Sequence, residues 1–342
     1  MCLLRIKIKY MAFKHFIRDS WLNASYYSGI SQLHNALAGK KRGIITFHNV
    51  LPIEKLPKED VYNVDVTAAI FEKQLLFIKE KFNILPIQEI DNQTSKGFFL
   101  TVDDGMLNNY TTLAPILEKH DLTALFAVCP DMVDGKIPHI WRDHFFMIFK
   151  QFQNKAILLP FNNYEKSYFY KNPNVAHADM RKFVYQNKVT DVYELLKEVC
   201  QKNGLEYTKN KENELRYGFM NWGQITELAK KNHIIASHTM SHRILRFLND
   251  DEKRYELGAS KKRLEEKLGR NIDWLVYPYG GPDQIDEATL KIAQEVGYKS
   301  AFMNVKKTDL QPSNLAQSRF ALPPVADSPH LYSIVSGYKN LF

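Results

Sequence analysis

The chain has 342 residues, of which 45% are hydrophobic, 25% charged and 13% aromatic. That balance excludes a disordered or fibrous chain and leaves room for a sizeable core. The formal charge of +8 is uneven: residues 1–42 hold eight Lys and Arg against one acid, Asp19. The rest carries 38 basic and 37 acidic groups, a near-neutral body that argues against a nucleic-acid groove. Three scattered cysteines, Cys2, Cys129 and Cys200, form no CxxC pair. They exclude a disulfide scaffold and a cysteine zinc site, and they suit a reducing compartment. No apolar run reaches 18 residues, so no bilayer-spanning helix is expected. Charges interrupt each apolar stretch at the N-terminus, so no secretory signal is expected either.

In chain order, Tyr10, Phe13, Ile17 and Trp21 fall along one helical face, with Lys14 and Arg18 opposite. This layout suits a helix lying on an anionic membrane surface, or one packed against the protein body. After residue 42, short apolar runs alternate with helical periodicity. Strands are predicted at Gly43–Phe47, Gly97–Val102, Leu122–Val128, His233–Ala236, Trp274–Tyr277 and Lys299–Met303. Helices are predicted from a Thr67 cap to Phe82, over 109–119, over 222–231 behind Asn221, over 251–268 before Gly269, and over 286–296 before Gly297. Strand–helix alternation argues for a parallel α/β sheet or barrel. Between about 136 and 220 the rhythm gives way to helical, aromatic-rich sequence, read as an insertion above the sheet.

The reactive side chains fall where strands end. His48 follows Phe47, Asp103 and Asp104 follow Val102, Ser237 to His242 follows Ala236, and Pro278 to Gly281 follows Tyr277. In a parallel barrel these ends open on one face, where such folds place their sites. The Asp103-Asp104-Gly105 run is either a turn or a pair of carboxylates that call for a cation. His238 and His242 are one helical turn apart, or are folded together by a loop, so both imidazoles reach one metal. Thr239 follows the first histidine, so the general base of an HExxH site is absent and must come from elsewhere. Trp141, Arg142, Asp143, Asn221 and Trp222 either line a sugar cleft or pack in the interior. No phosphate loop, nucleotide fingerprint or nucleophile elbow is present, so neither nucleotide nor nucleic acid is expected as partner.

On these motifs the sequence resembles the polysaccharide deacetylases, the NodB-homology group of carbohydrate esterases. Thr101-Val-Asp-Asp-Gly105 is similar to the family's first motif, Ser237-His-Thr-Met-Ser-His242 to the second, and Tyr277-Pro-Tyr-Gly280 to the end of the third. The similarity spans about residues 43–323. It implies a distorted (β/α) barrel of about seven parallel strands that removes acetyl groups from N-acetylated sugars with a divalent metal, zinc being the first expectation. By position, Asp103 is the base, Asp104, His238 and His242 are the metal ligands, and the Tyr279 backbone N–H serves the oxyanion. Phe47-His48-Asn49-Val50 resembles the Y-H-x-V pattern of a biofilm exopolysaccharide subset, which makes His48 the acid.

Two departures from the family pattern stand out. Val276 occupies the position of an arginine that pairs with the catalytic aspartate, leaving Arg319 as a candidate substitute. The only histidine after the third motif is His330, in a capped helix start that reads as structural. The expected organisation is a basic segment 1–42 and a barrel over 43–342 carrying the insertion. The expected partners are an N-acetylated glycan and an anionic membrane surface, in the cytoplasm at the inner face of the membrane. The alternatives are a hydrolase of small non-sugar amides and an inactive glycan- or lipid-binding protein.

Overall fold

The computed structural model describes residues 19–33, 41–56, 65–208, 213–305 and 313–337. Tyr10, Phe13, Lys14, Ile17 and Arg18 of the expected surface helix lie outside them. The main sheet has eight strand segments: β1 Gly43–Phe47, β2 Phe98–Val102, β3 Leu125–Val128, β4 Ile234–Ser237, β5 Trp274–Val276, β6 Ser300–Met303, β7 Gln317–Ser318 and β8 Phe320–Ala321. Their order is β7-β6-β5-β4-β3-β2-β1-β8, and every pair is parallel.

The barrel is closed by one short run of chain. Gln317 and Ser318 register with Phe302 and Met303 on β6, while Phe320 and Ala321 register with Ile45 and Thr46 on β1. Only Arg319 separates the two segments, and its N–H still bonds the Met303 carbonyl at 2.8 Å. Residues 317–321 therefore act as one strand that leaves one sheet edge and joins the other. Counted this way, seven strands surround the barrel, as expected.

Strand alternation divides the core in two. Ile45, Phe47, Leu100, Val102, Phe126, Val128, Ile235 and Met303 share a cluster with the surrounding helices. Ile44, Phe99, Leu125, Ala127, Ile234, Ala236, Val276 and Phe302 form another, which fills the barrel. Following the interior parity upward leads from Phe99 through Thr101 to Asp103, from Ile44 through Thr46 to His48, and from Ala236 to His238. The reactive residues are the next layer of the barrel's own filling.

Helices follow the strands with the expected caps. The Thr67 side chain accepts the Ile70 N–H at the start of Ala68–Lys81, and Asp286 caps Glu287–Val296. The helix expected over 251–268 is interrupted by a wide π turn at Tyr255–Ala259. The stretch about 136–220 contains helices Trp141–Gln151, Pro173–Gln186 and Val192–Lys202 and a small antiparallel ladder. Its apolar cluster takes in Met106, Cys129 and Ile244 from the barrel. At the N-terminal side, the helical turns over 19–33 bury Leu22 and set Tyr26 edge-on against Tyr332 of the helix Ser328–Val335.

Candidate metal and catalytic site

The two aspartates separate because the chain turns sharply between them. Asp103 extends β2, its N–H bonding Phe47 O at 3.0 Å. Asp104 and Gly105 then adopt left-handed φ values of 75° and 67°. A Cβ at Gly105 would sit 2.8 Å from Val128 Cγ1, so glycine is required there. Asp103 ends against Arg319, whose two terminal nitrogens donate to its carboxylate at 2.7 and 2.8 Å. Arg319 also donates to the Thr101 and Thr46 hydroxyls at 2.8 and 3.2 Å. Burial would raise the Asp103 carboxyl, but the Arg319 charge and hydrogen bonds outweigh it and hold it below its ordinary value.

Asp104 faces the histidines. Its Oδ1 lies 3.3 Å from His238 Nε2 and 3.2 Å from His242 Nε2. His238 Nδ1 is 2.7 Å from Val276 O, a carbonyl that can only accept, so Nδ1 carries the proton and Nε2 presents a lone pair. His242 Nδ1 is 3.0 Å from the Tyr279 hydroxyl, whose own proton goes to His242 O at 3.4 Å, so here too Nδ1 is the donor. Burial keeps His242 below its ordinary value, against the raising pull of Asp104. Three buried acceptor atoms within 4.8 Å of one another are unstable without a shared cation. The donor set, two imidazoles and a carboxylate, suits a tetrahedral divalent ion with a position left open. It is the one cluster of this kind among the described residues.

His238 to His242 form a loop, not a helical turn, and Thr239 and His242 have left-handed φ values of 64° and 60°. Val276 thus serves the site through its carbonyl while Arg319, two strands away at the barrel's closure, takes the expected arginine's place. Tyr279 contributes a hydroxyl that also accepts from Trp141 Nε1. Its own φ is 63°, and the next residue is glycine because a Cβ there would meet Asn304 N at 2.3 Å.

His48 Nε2 stands 3.8 Å from Asp103 Oδ2. The sequence reading missed what holds it. Asn109 Nδ2 donates to His48 O while its Oδ1 accepts Met106 N–H at 2.8 Å. Asn108 Nδ2 donates to Asn49 Oδ1 at 2.6 Å, and its Oδ1 accepts Val50 N–H at 2.9 Å. Both asparagines are fully buried at a helix start, a place where Asn ordinarily caps, so the sequence carried no signal of this second role.

A cavity of about 400 Å³ brings His48, Asp103, Asp104, His238, His242 and Tyr279 together. The insertion supplies Ile140, Arg142, Asp143 and Arg216 to its wall. Arg216 bonds Asp65 at 2.7 Å and Asp143 at 3.4 Å, a buried ionic set. Arg142 lies over the Tyr279 ring, 4.1 Å from its centroid, and donates to Tyr185. Trp141 is fully buried, Trp222 donates to Asp134, and Asn221 caps a helix, so these three pack. His330 bonds Asp327 and Asp19, outside the cavity.

A family model for polysaccharide deacetylase matches residues 176–301, which include the His238–His242 loop and Tyr279. Over that stretch, a little more than a third of its length, the chain is similar to the polysaccharide deacetylases. The aspartate motif and His48 lie before the matched range, on the other side of about the first half of the insertion. No curated protein matches the chain. Among solved structures it resembles the Streptococcus pyogenes deacetylase PplD in complex with acetate, at 18% identity and TM-score 0.52 over 83% of this chain and 93% of that one. It also resembles IcaB from Ammonifex degensii, at 16% identity and TM-score 0.53 over 87% and 98%. A polysaccharide deacetylase from Bacillus cereus aligns at 15% identity and TM-score 0.53 over 87% and 69%. At these identities the likeness is one of fold, and it bears out the barrel.

Proposed function

We propose that this chain is a divalent-metal-dependent hydrolase that removes an acetyl group from an N-acetylated sugar of a polysaccharide or lipid-linked glycan precursor. The observation that carries the reading is the convergence of Asp104, His238 and His242 on one point, beside an ionised Asp103. The two Nε2 atoms and Asp104 would hold the ion, zinc being the first expectation, which supplies Lewis-acid stabilisation of the acyl oxygen. Asp103, kept ionised by Arg319, takes a proton from the attacking water. His48 returns a proton to the departing amine nitrogen. The Tyr279 backbone N–H donates to the oxyanion as it develops. Acetate release from N-acetylated glycans and from small N-acetyl amides, with and without chelator, tests the reading. Release from the small amides alone, or none from the zinc-loaded protein, overturns it.

We also propose a cytoplasmic location with peripheral contact to the inner membrane face through the N-terminal segment. Its charge supports this, as does the exposure of Trp21, Tyr27, Ile30 and Leu33.

A further inference from the structure

The loop that carries both histidines has a supporting group that the mechanism does not use. Two of its residues have left-handed backbone, which costs on the order of 1–3 kcal/mol each and persists only when neighbours over-determine it. The loop's N–H groups are all accounted for: His238 N–H bonds Val128 O, Thr239 N–H bonds Ser237 Oγ, and His242 N–H bonds Thr239 Oγ1. The remaining two go to one residue. Met240 N–H donates to Glu256 O at 2.9 Å, and Ser241 N–H to Glu256 Oε2 at 2.9 Å. The Ser241 hydroxyl donates to the other carboxylate oxygen, and the Thr239 side chain also bonds the carboxylate. Glu256 is 1% exposed and sits in the π turn Tyr255–Ala259, a wide turn of the kind frequent at functional sites.

We infer that Glu256 is a positioning residue for the metal site, holding Thr239, Met240 and Ser241 in the one conformation that turns both histidine Nε2 atoms onto a single ion. It touches neither ligand side chain. It acts through the backbone between them, and through Thr239 on the His242 N–H. The inference rests on the assignment of His238 and His242 as ligands.

The test is titration of the metal-free full chain with zinc against a competing chelator, and with cobalt followed by its visible absorption. Glu256→Gln keeps the side chain's shape but turns an NH2 toward a donor of Ser241. The expected result is a zinc Kd raised about tenfold, the low end for outer-shell partners, and an altered cobalt spectrum with unchanged far-UV circular dichroism. A folded Glu256→Gln with wild-type Kd and cobalt spectrum overturns the inference while leaving the ligand assignment intact. If that variant does not fold, Ser241→Ala, which deletes one donor and keeps the N–H bond, takes its place. A smaller rise in Kd is then expected, and a wild-type value counts against the inference equally. Wild-type protein that binds neither ion overturns the ligand assignment, and the inference with it.

Discussion

The Arg319 guanidinium reaches the Asp103 carboxylate across 216 residues of chain and grips it with two parallel hydrogen bonds, neither group seeing solvent. Arg319 is also the joint between β7 and β8, so the residue that closes the barrel is the one that sets the state of the proposed base. A planar fork suits this bidentate task, and a lysine ammonium does not.

That pairing gives the first prediction. Arg319→Met leaves a buried carboxylate unpartnered, and breaking such a pair costs roughly 3–5 kcal/mol. The folded Asp103 carboxyl lies below its ordinary value. Its contribution to stability is therefore present above the unfolded pKa and is lost as pH falls through the folded one. Without Arg319, burial raises the group with less opposition, so the acidic limb of kcat/KM should move toward neutral pH. Arg319→Lys should recover part of the stability and less of the activity. An Arg319→Met enzyme with an unmoved acidic limb would separate Arg319 from Asp103.

The ligands are predicted to behave differently from the base. His238→Ala and His242→Ala should each lose bound metal and activity together. Asp103→Asn should keep near wild-type metal while kcat falls by about 10²-fold or more. Tyr279→Phe removes the acceptor of His242 Nδ1 and Trp141 Nε1, and outer-shell losses of this kind weaken metal affinity by roughly 10–100-fold. Metal analysis of the four purified proteins decides among these roles. Stoichiometric metal in His238→Ala would exclude it as a ligand.

His48 is assigned to proton donation, and the choice of leaving group tests it. His48→Ala should lower kcat on an N-acetylated sugar without loss of metal. A substrate whose leaving group departs as an anion needs no proton, so its kcat should fall much less. Asn109→Ala frees the His48 carbonyl and leaves the Met106 N–H unmatched, and should mimic the His48 effect in weaker form. Equal losses on both substrates would point to a role for His48 in binding.

The site was legible where it repeats the strand pattern and obscure where it depends on closure. Asp103, His48 and His238 could be read because each follows the end of a short apolar run that the sequence displays. The second histidine and the second aspartate came from motif spacing, but spacing alone left helix and loop equally open. Arg319 could be named as a candidate without a reason, because Gln317 to Ala321 has neither the apolar run nor the length of a strand. It becomes one by pairing with a different neighbour at each end. Glu256 was hidden for another reason: a carboxylate in a charged helix reads as surface, and only the packed loop reveals that it is buried.

The last prediction concerns the N-terminal segment, and the structure changes how it must be tested. Of the nine large hydrophobic side chains exposed among the described residues, four fall within residues 21–33: Trp21, Tyr27, Ile30 and Leu33. The opposite side of the same turns is used for packing, through Leu22, Ser25 and the Tyr26–Tyr332 contact. Two of the eight basic groups are committed as well, since Lys41 bonds Ser336 O and Arg42 bonds Ile90 O and Gln317. Cutting the chain at residue 42 would therefore damage the barrel and confuse the result. Replacing Tyr27, Ile30 and Leu33 together by Ser removes exposed apolar surface and leaves Leu22, Ser25 and Tyr26 in place. The six remaining basic groups each contribute roughly 1 kcal/mol near an anionic surface, within a Debye length of about 8 Å at physiological salt. The wild-type chain should sediment with vesicles containing phosphatidylserine, less so as salt rises, and not with neutral vesicles. The triple variant should bind them more weakly while keeping its thermal midpoint and its deacetylase activity. A stable triple variant that sediments as well as wild type would mean that these residues do not meet the membrane.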